Sequence, residues 1–195
     1  MSLSEREILK IFKDTDALLN GHFLLTSGRH SKEYFQCAKV LQYPEYTKQL
    51  CSIISNYFSD AEIDTVISPA IGGLVVGQEV ARQLNKRFIF AERDNKELTL
   101  RRGFALREGE RVLVCEDVVT TGGSVFETIE IVKSNNADVA GVGIIVDRSN
   151  GKIDFGCQQI SVVKLDVKSF QSDECPYCLE GQELIKPGSR KVHAG

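Results

Sequence analysis

The residues best suited to chemistry lie in one segment, from Arg111 to Ser134. A short apolar and β-branched run ends there at two adjacent acids, Glu116 and Asp117. Apolar residues at helical spacing follow a short loop, so the segment predicts a strand, a loop and a helix in succession. The loop consists of small and hydroxyl residues: Thr120, Thr121, Gly122, Gly123 and Ser124.

This loop has the composition of a phosphate site. A helix N-terminus leaves backbone N–H groups unpaired and carries partial positive charge, which favours an anion. Gly122 and Gly123 let the backbone approach phosphate oxygens closely, and the loop hydroxyls add donors. Carboxylates would repel a phosphate, so the acid pair must face another group, for which sugar hydroxyls are the natural partner. The segment therefore predicts a site for a ribose with a terminal phosphate.

Length and composition limit the class of protein. A chain of 195 residues is expected to form one domain, and a net charge of −3 argues against general nucleic-acid binding. Apolar runs fall short of the ~20 residues of a membrane span, and the charged N-terminus is unlike a signal peptide. Six cysteines without regular spacing are typical of reduced thiols, so a cytoplasmic location is expected.

The rest of the chain alternates between strands and helices. Helices are predicted over 4–19, 44–58 and 72–85, and strands over 63–68, 87–91, 111–116, 138–146 and 160–165. Turn signals and short strands are mixed over 22–43, and 92–108 is a polar loop. Such alternation predicts an α/β fold, a Rossmann-like parallel sheet flanked by helices. Ligands bind such sheets at the carboxyl ends of the strands, where the loops after the predicted strands would meet.

A resemblance to a known family rests on the loop and on three other segments. Neither GxGxxG nor GxxxxGK[ST] occurs, which argues against dinucleotide and nucleoside triphosphate sites. The segment CEDVVTTGGSV resembles the phosphoribosyl pyrophosphate signature of the type I phosphoribosyltransferases. FLLTSGRHSKEYFQ, ERDNKELTLRRGF and VDRSNG are similar to segments of the branch that acts on orotate, as is the tail CPYC…KPGSR. The resemblance spans nearly the whole chain.

This resemblance implies a fold, a reaction and its participants. The fold would be a single type I phosphoribosyltransferase domain over 1–195, with 1–60 and 166–195 as an N-terminal hood and a tail around a core over 61–165. Ribose 5-phosphate would pass from phosphoribosyl pyrophosphate to orotate, giving orotidine 5′-monophosphate and pyrophosphate in UMP biosynthesis. Mg²⁺ would be the cofactor, held mainly by substrate oxygens and water. A homodimer is implied because in the family the loop over 92–108 reaches across a subunit interface.

The resemblance also implies roles for individual residues. Glu116 and Asp117 would hold the ribose hydroxyls, while Tyr34 and Phe35 would border the base. Arg148 would pair with the orotate carboxylate, a contact that suits a planar guanidinium. The loop that would wrap the 5-phosphate comprises Val118, Val119, Thr120, Thr121, Gly122, Gly123 and Ser124, and Thr120 would also lie near the pyrimidine.

Cations for the leaving pyrophosphate would come from segment 92–108. The family's usual lysines before SGR and after the second strand are missing here, as is the Lys-x-x-Lys-x-His-Gly pattern of its mobile loop. The residues expected to act in catalysis are Arg93, Lys96, Arg101 and Arg102, together with Asp117. A solvated charge run is the alternative interpretation of Arg101 and Arg102.

Two other functions stay open at this point. One is a phosphoribosyltransferase for another base, such as a purine, although Arg148 favours an acidic pyrimidine. The other is a regulatory module that binds phosphoribosyl pyrophosphate without turnover. Such a module often carries a DNA-reading element, and the sequence has no basic helix-turn-helix pattern.

The tail contains a possible metal motif. Cys175 and Cys178 have the spacing of a zinc knuckle, which Cys157 and His193, or a neighbouring subunit, could complete. A tight turn with reduced thiols is the default interpretation. His22 and His30 have no evident nucleophile partner, so no catalytic triad is predicted.

Overall fold

The computed structural model of the protein describes residues 3–25, 28–95, 97–165 and 168–187. The helices in these ranges are α1 Glu5–Asp14, α2 Cys37–Leu41, α3 Pro44–Tyr57, α4 Gly73–Leu84, α5 Gly123–Ser134 and α6 Pro176–Leu179. The strands are β1 Leu18–Leu24, β2 His30–Phe35, β3 Thr65–Pro69, β4 Arg87–Asp94, β5 Glu97–Leu100, β6 Arg111–Val119, β7 Asp138–Asp147, β8 Gln159–Lys164 and β9 Ser169–Phe170.

The main sheet has six strands in the order β5-β4-β3-β6-β7-β8. Its neighbouring strands are parallel except for β5, which pairs antiparallel with β4 at one edge. Helices cover both faces, which is why the central strands are apolar on both sides. This arrangement confirms the predicted α/β fold with a parallel sheet flanked by helices.

Strand β6 connects the two halves of the hydrophobic core. Successive side chains of a strand point to opposite faces, and here Leu113 and Cys115 join the core under α1 to α4 while Val112 and Val114 join the core under α5. All four residues are completely buried. The strand is thus held firmly on both faces up to the point where the acid pair begins.

A smaller sheet of three strands, β1-β2-β9, is separate from the main sheet. We call these three strands, and not the whole of 1–60, the hood. Its strands are antiparallel, and the tail returns alongside β1, where Ile185 exchanges backbone hydrogen bonds with His22 and Leu24 at 2.8 Å each. The hood is therefore assembled from both ends of the chain.

Two sequence predictions of local structure are wrong in extent. The helix expected over 4–19 ends at Asp14, because the chain enters β1 at Leu18. Segment 92–108 is not wholly a loop, since β4 continues to Asp94 and turns back into β5. In the first segment, the apolar spacing continues past the helix because Leu18 and Leu19 belong to β1. Within the described residues, no helix has the length and apolar character needed to cross a membrane.

Gly77 sets the distance between α4 and the sheet. A Cβ at this position would lie 2.1 Å from Ser68 Oγ and 2.5 Å from the ring of Phe88. The helix can approach β3 and β4 this closely only because the residue has no side chain. Since α4 begins at the turn beside the acid pair, this contact also fixes one wall of the site.

We expect Gly77→Ala to lower the free energy of unfolding by about 1–3 kcal/mol, the usual effect of overpacking. That loss exceeds the ~1 kcal/mol by which alanine favours a helix over glycine. Urea denaturation of the two proteins measures the difference. Gln78→Ala, an exposed neighbour in the same helix, is the matched control and should change stability by less than about 0.5 kcal/mol. Equal stability of all three proteins would contradict the close packing.

Candidate functional site

Two adjacent cavities open at the carboxyl end of β6. The loop cavity, of about 190 Å³, is bounded by the segment from Val118 to Val125. The hood cavity, of about 590 Å³, lies between this segment and β2. Val118, Thr120 and Thr121 line both cavities, so one ligand can occupy the two at once.

The loop cavity is built around the N-terminus of α5. Gly122 precedes the helix with a φ of 77°, and a Cβ there would lie 3.0 Å from Phe155 and 3.1 Å from Phe126. Both the backbone conformation and the space therefore require glycine. No side chain caps the helix, so its first N–H groups are left for an external acceptor. An anion is the acceptor that such a helix end favours.

The acid pair lies at the junction of the two cavities. Glu116 is only 7% exposed and lines the loop cavity, whereas Asp117 lines the hood cavity. The backbone N–H of Asp117 donates to Glu116 Oε1 at 3.1 Å, and the N–H of Val118 donates to Asp117 Oδ1 at 2.8 Å. Each carboxylate keeps an oxygen without such a backbone donor, and that oxygen is available to a hydroxyl.

The turn before α4 leaves room for these two carboxylates. A Cβ on Gly72 would lie 2.5 Å from Asp117 Oδ1, and a Cβ on Gly73 would lie 3.0 Å from Glu116 Oε1. These two glycines were not selected from the sequence as site residues. Their spacing relative to the acid pair cannot be read from the chain, because the two segments are brought together by the β3–β6 pairing.

Burial changes the protonation of the pair. Burial raises the pKa of Glu116 well above its ordinary value of 4.5, and the charge of Asp117 raises it further. Burial also raises the pKa of Asp117, against the lowering effect of its hydrogen bonds. The pair therefore tends to retain a proton, which suits a partner such as a sugar hydroxyl that can both donate and accept.

Arg148 provides the clearest unsatisfied group in the site. Its Nε is buried and has no hydrogen-bond partner among the described residues, while the side chain lines the hood cavity. Burial lowers the pKa of its guanidinium, against the raising effect of Tyr34 and Glu33. A buried, unpaired guanidinium N–H is costly, so it calls for an anionic or carbonyl acceptor in the cavity.

Asp147 holds the turn that presents Arg148. Its Oδ1 accepts hydrogen bonds from the N–H and hydroxyl of Ser149 at 2.8 and 2.6 Å, and its Oδ2 accepts from the N–H of Gly151 at 2.9 Å. The residue is buried and was not selected from the sequence. Its position directly after an apolar strand and before Arg-Ser-Asn-Gly was the signal that could have identified it.

The hood contributes the opposite wall of the hood cavity. Tyr34 and Phe35 line it as expected, and burial raises the pKa of the Tyr34 hydroxyl. Arg29, which the sequence analysis did not select, also lines this wall and is fixed to Ser169 of β9 by bonds of 2.8 Å from Nε and 2.6 Å from Nη2. The Ser-Gly-Arg segment was quoted for its resemblance, and its arginine was the available signal.

The predicted catalytic cations lie in different places. Arg93 lines the loop cavity and forms a two-pronged ion pair with Glu127 at 2.8 and 2.9 Å. Arg102 forms a similar pair with Glu92 at 2.5 and 3.0 Å and lies over the ring of Phe90. Arg101 is 3.9 Å from Asp94, and neither Arg101 nor Arg102 lines either cavity. Lys96 lies outside the described residues.

Comparison with known sequences gives the family of this chain. Residues 38–175 match the phosphoribosyl transferase domain family. An orotate phosphoribosyltransferase from Desulforamulus reducens is 51% identical over 190 residues, which are 97% of this chain and 100% of that protein. Another from Chlorobium phaeobacteroides is 55% identical over 190 residues, which are 97% of this chain and 98% of that protein.

Solved structures give the same family. The crystal structure of orotate phosphoribosyltransferase from Aeropyrum pernix has a TM-score of 0.71 and 27% identity, covering 81% of this chain and 93% of its own. An adenine phosphoribosyltransferase from Thermoanaerobacter pseudethanolicus has a TM-score of 0.60 and 19% identity, covering 68% and 88%. The second likeness concerns the fold alone.

The buried acid pair makes stability depend on pH. A folded-state pKa above the ordinary value means that the folded protein holds its proton more tightly, so stability falls as pH rises above 4.5. Glu116→Gln has no such proton to lose. We expect its melting temperature relative to wild type to increase between about pH 5 and about pH 8, by roughly 2–4 °C per kcal/mol relieved.

Thermal scans at several pH values measure this difference. Glu130→Gln, on the exposed face of α5, is the control and should keep a constant offset from wild type. A Glu116→Gln offset that shrinks or stays flat as the pH rises would show that Glu116 is ionised in the folded protein without penalty.

Proposed function

This chain belongs to the phosphoribosyl transferase family, and we propose that it is an orotate phosphoribosyltransferase of pyrimidine biosynthesis. It transfers ribose 5-phosphate from phosphoribosyl pyrophosphate to orotate, releasing orotidine 5′-monophosphate and pyrophosphate. The observation that carries the choice of base is Arg148, which lines a cavity large enough for a pyrimidine ring and whose buried Nε has no hydrogen-bond partner among the described residues. A carboxylated base supplies the acceptor that this group lacks.

The two cavities match the two parts of the product. The 5-phosphate occupies the loop cavity, where it accepts hydrogen bonds from the N-terminus of α5 and from the loop hydroxyls. The ribose hydroxyls meet Glu116 and Asp117 at the junction. The base enters the hood cavity between Tyr34 and Arg148. This order places the anomeric carbon between the acid pair and the base.

Catalysis in this arrangement depends on position and charge. As the bond to pyrophosphate breaks, positive charge develops on the ribose ring and its electron pair leaves with pyrophosphate. The buried carboxylates stabilise that positive charge from fixed positions, which a low-dielectric site makes effective. A ring nitrogen of orotate, held on the opposite side by the hood, forms the new bond at the anomeric carbon and releases its proton to pyrophosphate or water.

The turn before α4 is the candidate site for pyrophosphate. Ile71 and Gly72 line the hood cavity beside Asp117, and the Ala70–Ile71 peptide in this turn is cis. A lysine usual in the family is missing here, so backbone N–H groups of the turn are the donors that this segment offers. Arg93, which the sequence predicts as a catalytic cation, lines the adjacent loop cavity.

Magnesium fits this site as a substrate-bound ion. The described carboxylates of the two cavities are Glu116, Asp117 and Glu127, and the last is paired with Arg93. They do not form a convergent group of three metal ligands within the described residues. The ion would therefore take most of its oxygen ligands from pyrophosphate and water, and it would supply charge neutralisation of the leaving group.

The remaining cations support a homodimer. Arg101 and Arg102 do not line the cavities of their own chain, so a catalytic role requires them to reach the cavities of another subunit. Phe90, over which Arg102 lies, also lines a separate apolar groove with Leu74, Val75 and Phe88. A second copy that covers this groove would bring the β5 edge of one subunit close to the site of the other.

We also propose that the protein is located in the cytoplasm. The support for this location is chemical: all six cysteines are free thiols, and four of them are buried. Reduced thiols of this kind are usual in cytosolic proteins.

A direct assay tests the proposed reaction. Orotate absorbance should fall when the protein is mixed with phosphoribosyl pyrophosphate and Mg²⁺, and pyrophosphate should appear in equal amount. Uracil, adenine, hypoxanthine and xanthine are the control bases. Turnover with a purine but not orotate would favour the alternative phosphoribosyltransferase, and ligand-induced thermal stabilisation without turnover would favour a regulator.

Arg148→Lys tests the carboxylate contact. Loss of a charge-assisted hydrogen bond weakens binding by about 1.5–3 kcal/mol, so KM for orotate should rise roughly 10- to 150-fold. KM for phosphoribosyl pyrophosphate should stay within about twofold, because the proposed contact of Arg148 is with the carboxylate of the base and not with the sugar or its phosphates. Arg6→Ala, on the exposed side of α1, is the control. Equal losses for both substrates would contradict the assignment.

Mixed dimers test whether the β5 edge acts across subunits. Asp117→Asn removes a site carboxylate and Arg101→Ala removes a cation, so each variant alone should be nearly inactive. If Arg101 serves the partner's site, random reassociation should restore roughly a quarter of wild-type activity, since half the dimers carry one intact site. No recovery, with dimers confirmed by light scattering, would place Arg101 outside catalysis across the interface.

A further inference from the structure

Four metal-ligating side chains meet in the hood, away from both cavities. They are His22 of β1, His30 of β2, Cys175 and Cys178. One ligand atom from each lies within 4.8 Å of all the others. From the sequence, a tight turn with reduced thiols is the default for the two cysteines, and Cys157 and His193, or a neighbouring subunit, are the possible zinc partners. Cys157 is not in this group, and His193 lies outside the described residues.

Four of the six separations within this cluster are close to the edges of a tetrahedron around one ion. His22 Nε2 lies 3.0 Å from His30 Nδ1, 3.4 Å from Cys175 Sγ and 3.7 Å from Cys178 Sγ. His30 Nδ1 lies 3.2 Å from Cys178 Sγ. A tetrahedral zinc with bonds of about 2.0–2.3 Å holds its ligand atoms roughly 3.3–3.8 Å apart. Two of these four separations lie within that range, and the other two, 3.0 and 3.2 Å, would need to lengthen by about 0.1–0.3 Å to reach it.

Neighbouring groups orient the ligands. His22 Nδ1 is 3.0 Å from the carbonyl oxygen of Gln182, which can only accept, so Nδ1 carries the proton and Nε2 presents its lone pair to the cluster. Cys175 precedes the short helix α6, and the N–H of Cys178 donates to the carbonyl of Cys175 at 3.1 Å. This turn places both thiols on the same side, as a zinc knuckle does.

Burial and chemistry favour a structural zinc site. His22, His30 and Cys175 are buried, while Cys178 is exposed and gives an ion a route from solvent. Two thiolates and two imidazoles in tetrahedral geometry select zinc over hard ions such as Mg²⁺. We propose that these four residues bind one Zn²⁺ per chain and that the ion ties the two ends of the chain together in the hood.

The ion would stabilise the wall of the hood cavity. It would join β1 and β2 to the tail at Cys175, across more than 140 residues of sequence. Without it, the cluster contains a His22–His30 hydrogen bond and two free thiols, a weaker connection between the same segments. Arg29 and Tyr34 flank His30 along the chain and line the hood cavity, so the link fixes residues that the proposed function uses.

Metal content tests the zinc site independently of catalysis. Wild-type protein incubated with ZnCl₂ under reducing conditions and then dialysed should retain one zinc per chain by mass spectrometry. Cys178→Ser, at the exposed ligand, should weaken zinc binding by more than about 100-fold, the upper end of the loss known for outer-shell partners. The half-buried thiol of Cys157 lies elsewhere, so Cys157→Ser is the matched control and should keep full occupancy. Loss of zinc from both variants, or none bound by wild type, would overturn the proposal.

Two further readouts identify the ligands and the role of the ion. Co²⁺-loaded wild type should show the intense visible bands and thiolate charge-transfer absorption of a tetrahedral site, and Cys178→Ser should lose the charge-transfer intensity. A zinc chelator, in buffer with excess Mg²⁺, should lower the melting temperature of wild type but not that of Cys178→Ser. An octahedral Co²⁺ spectrum or an unchanged melting temperature would overturn it. Each result holds whether or not orotate is the substrate.

Discussion

Two carboxylates that are neighbours in sequence are buried together at the carboxyl end of β6, where mutual repulsion and desolvation both oppose their ionisation. The surrounding structure compensates in specific ways. Backbone N–H groups donate to Glu116 and Asp117 at 3.1 and 2.8 Å, and Gly72 leaves the space that Asp117 occupies. The core on both faces of β6 prevents the strand from twisting away to solvate the pair. The free-energy cost of burying these two acids is the constraint that the structure around both cavities has to meet.

Arg148 is also a buried charged residue, and it lines the other side of the hood cavity. Its guanidinium is buried and one N–H has no hydrogen-bond partner among the described residues. Both carboxylate oxygens of Asp147 accept hydrogen bonds from the turn that holds Arg148 in this position. Acids and a cation thus face each other across space that a ligand can fill. Neither charge neutralises the other directly, since no ion pair joins them within the described residues. A ligand with hydroxyls at one end and a carboxylate at the other satisfies both.

The sequence predicted those features that depend on residues close together along the chain. The strand, acid pair and glycine loop around Gly122 were recognisable because their chemistry is contiguous, and the alternating elements followed from periodicity. The extent of α1 was wrong because Leu18 continues an apolar spacing that in fact belongs to β1. Contacts between distant segments, such as Gly72 with Asp117, are set by strand pairing, and single-sequence patterns carry no information on them.

The four-residue cluster in the hood is the clearest case of contacts between distant segments that the sequence did not predict. Cys175 and Cys178 were visible as a motif, but their proposed partners lie on β1 and β2, which reach them only because the tail runs beside β1 and forms β9 against β2. Closing such a long loop is entropically unfavourable for a short sheet with few buried contacts. A metal site at the closure would offset that cost because the ion binds the folded hood and binds the unfolded chain only weakly, so its binding free energy adds to the stability of the folded state. It would therefore help to keep Arg29 and Tyr34 in place, in addition to the packing of Phe35 of β2 in the main core.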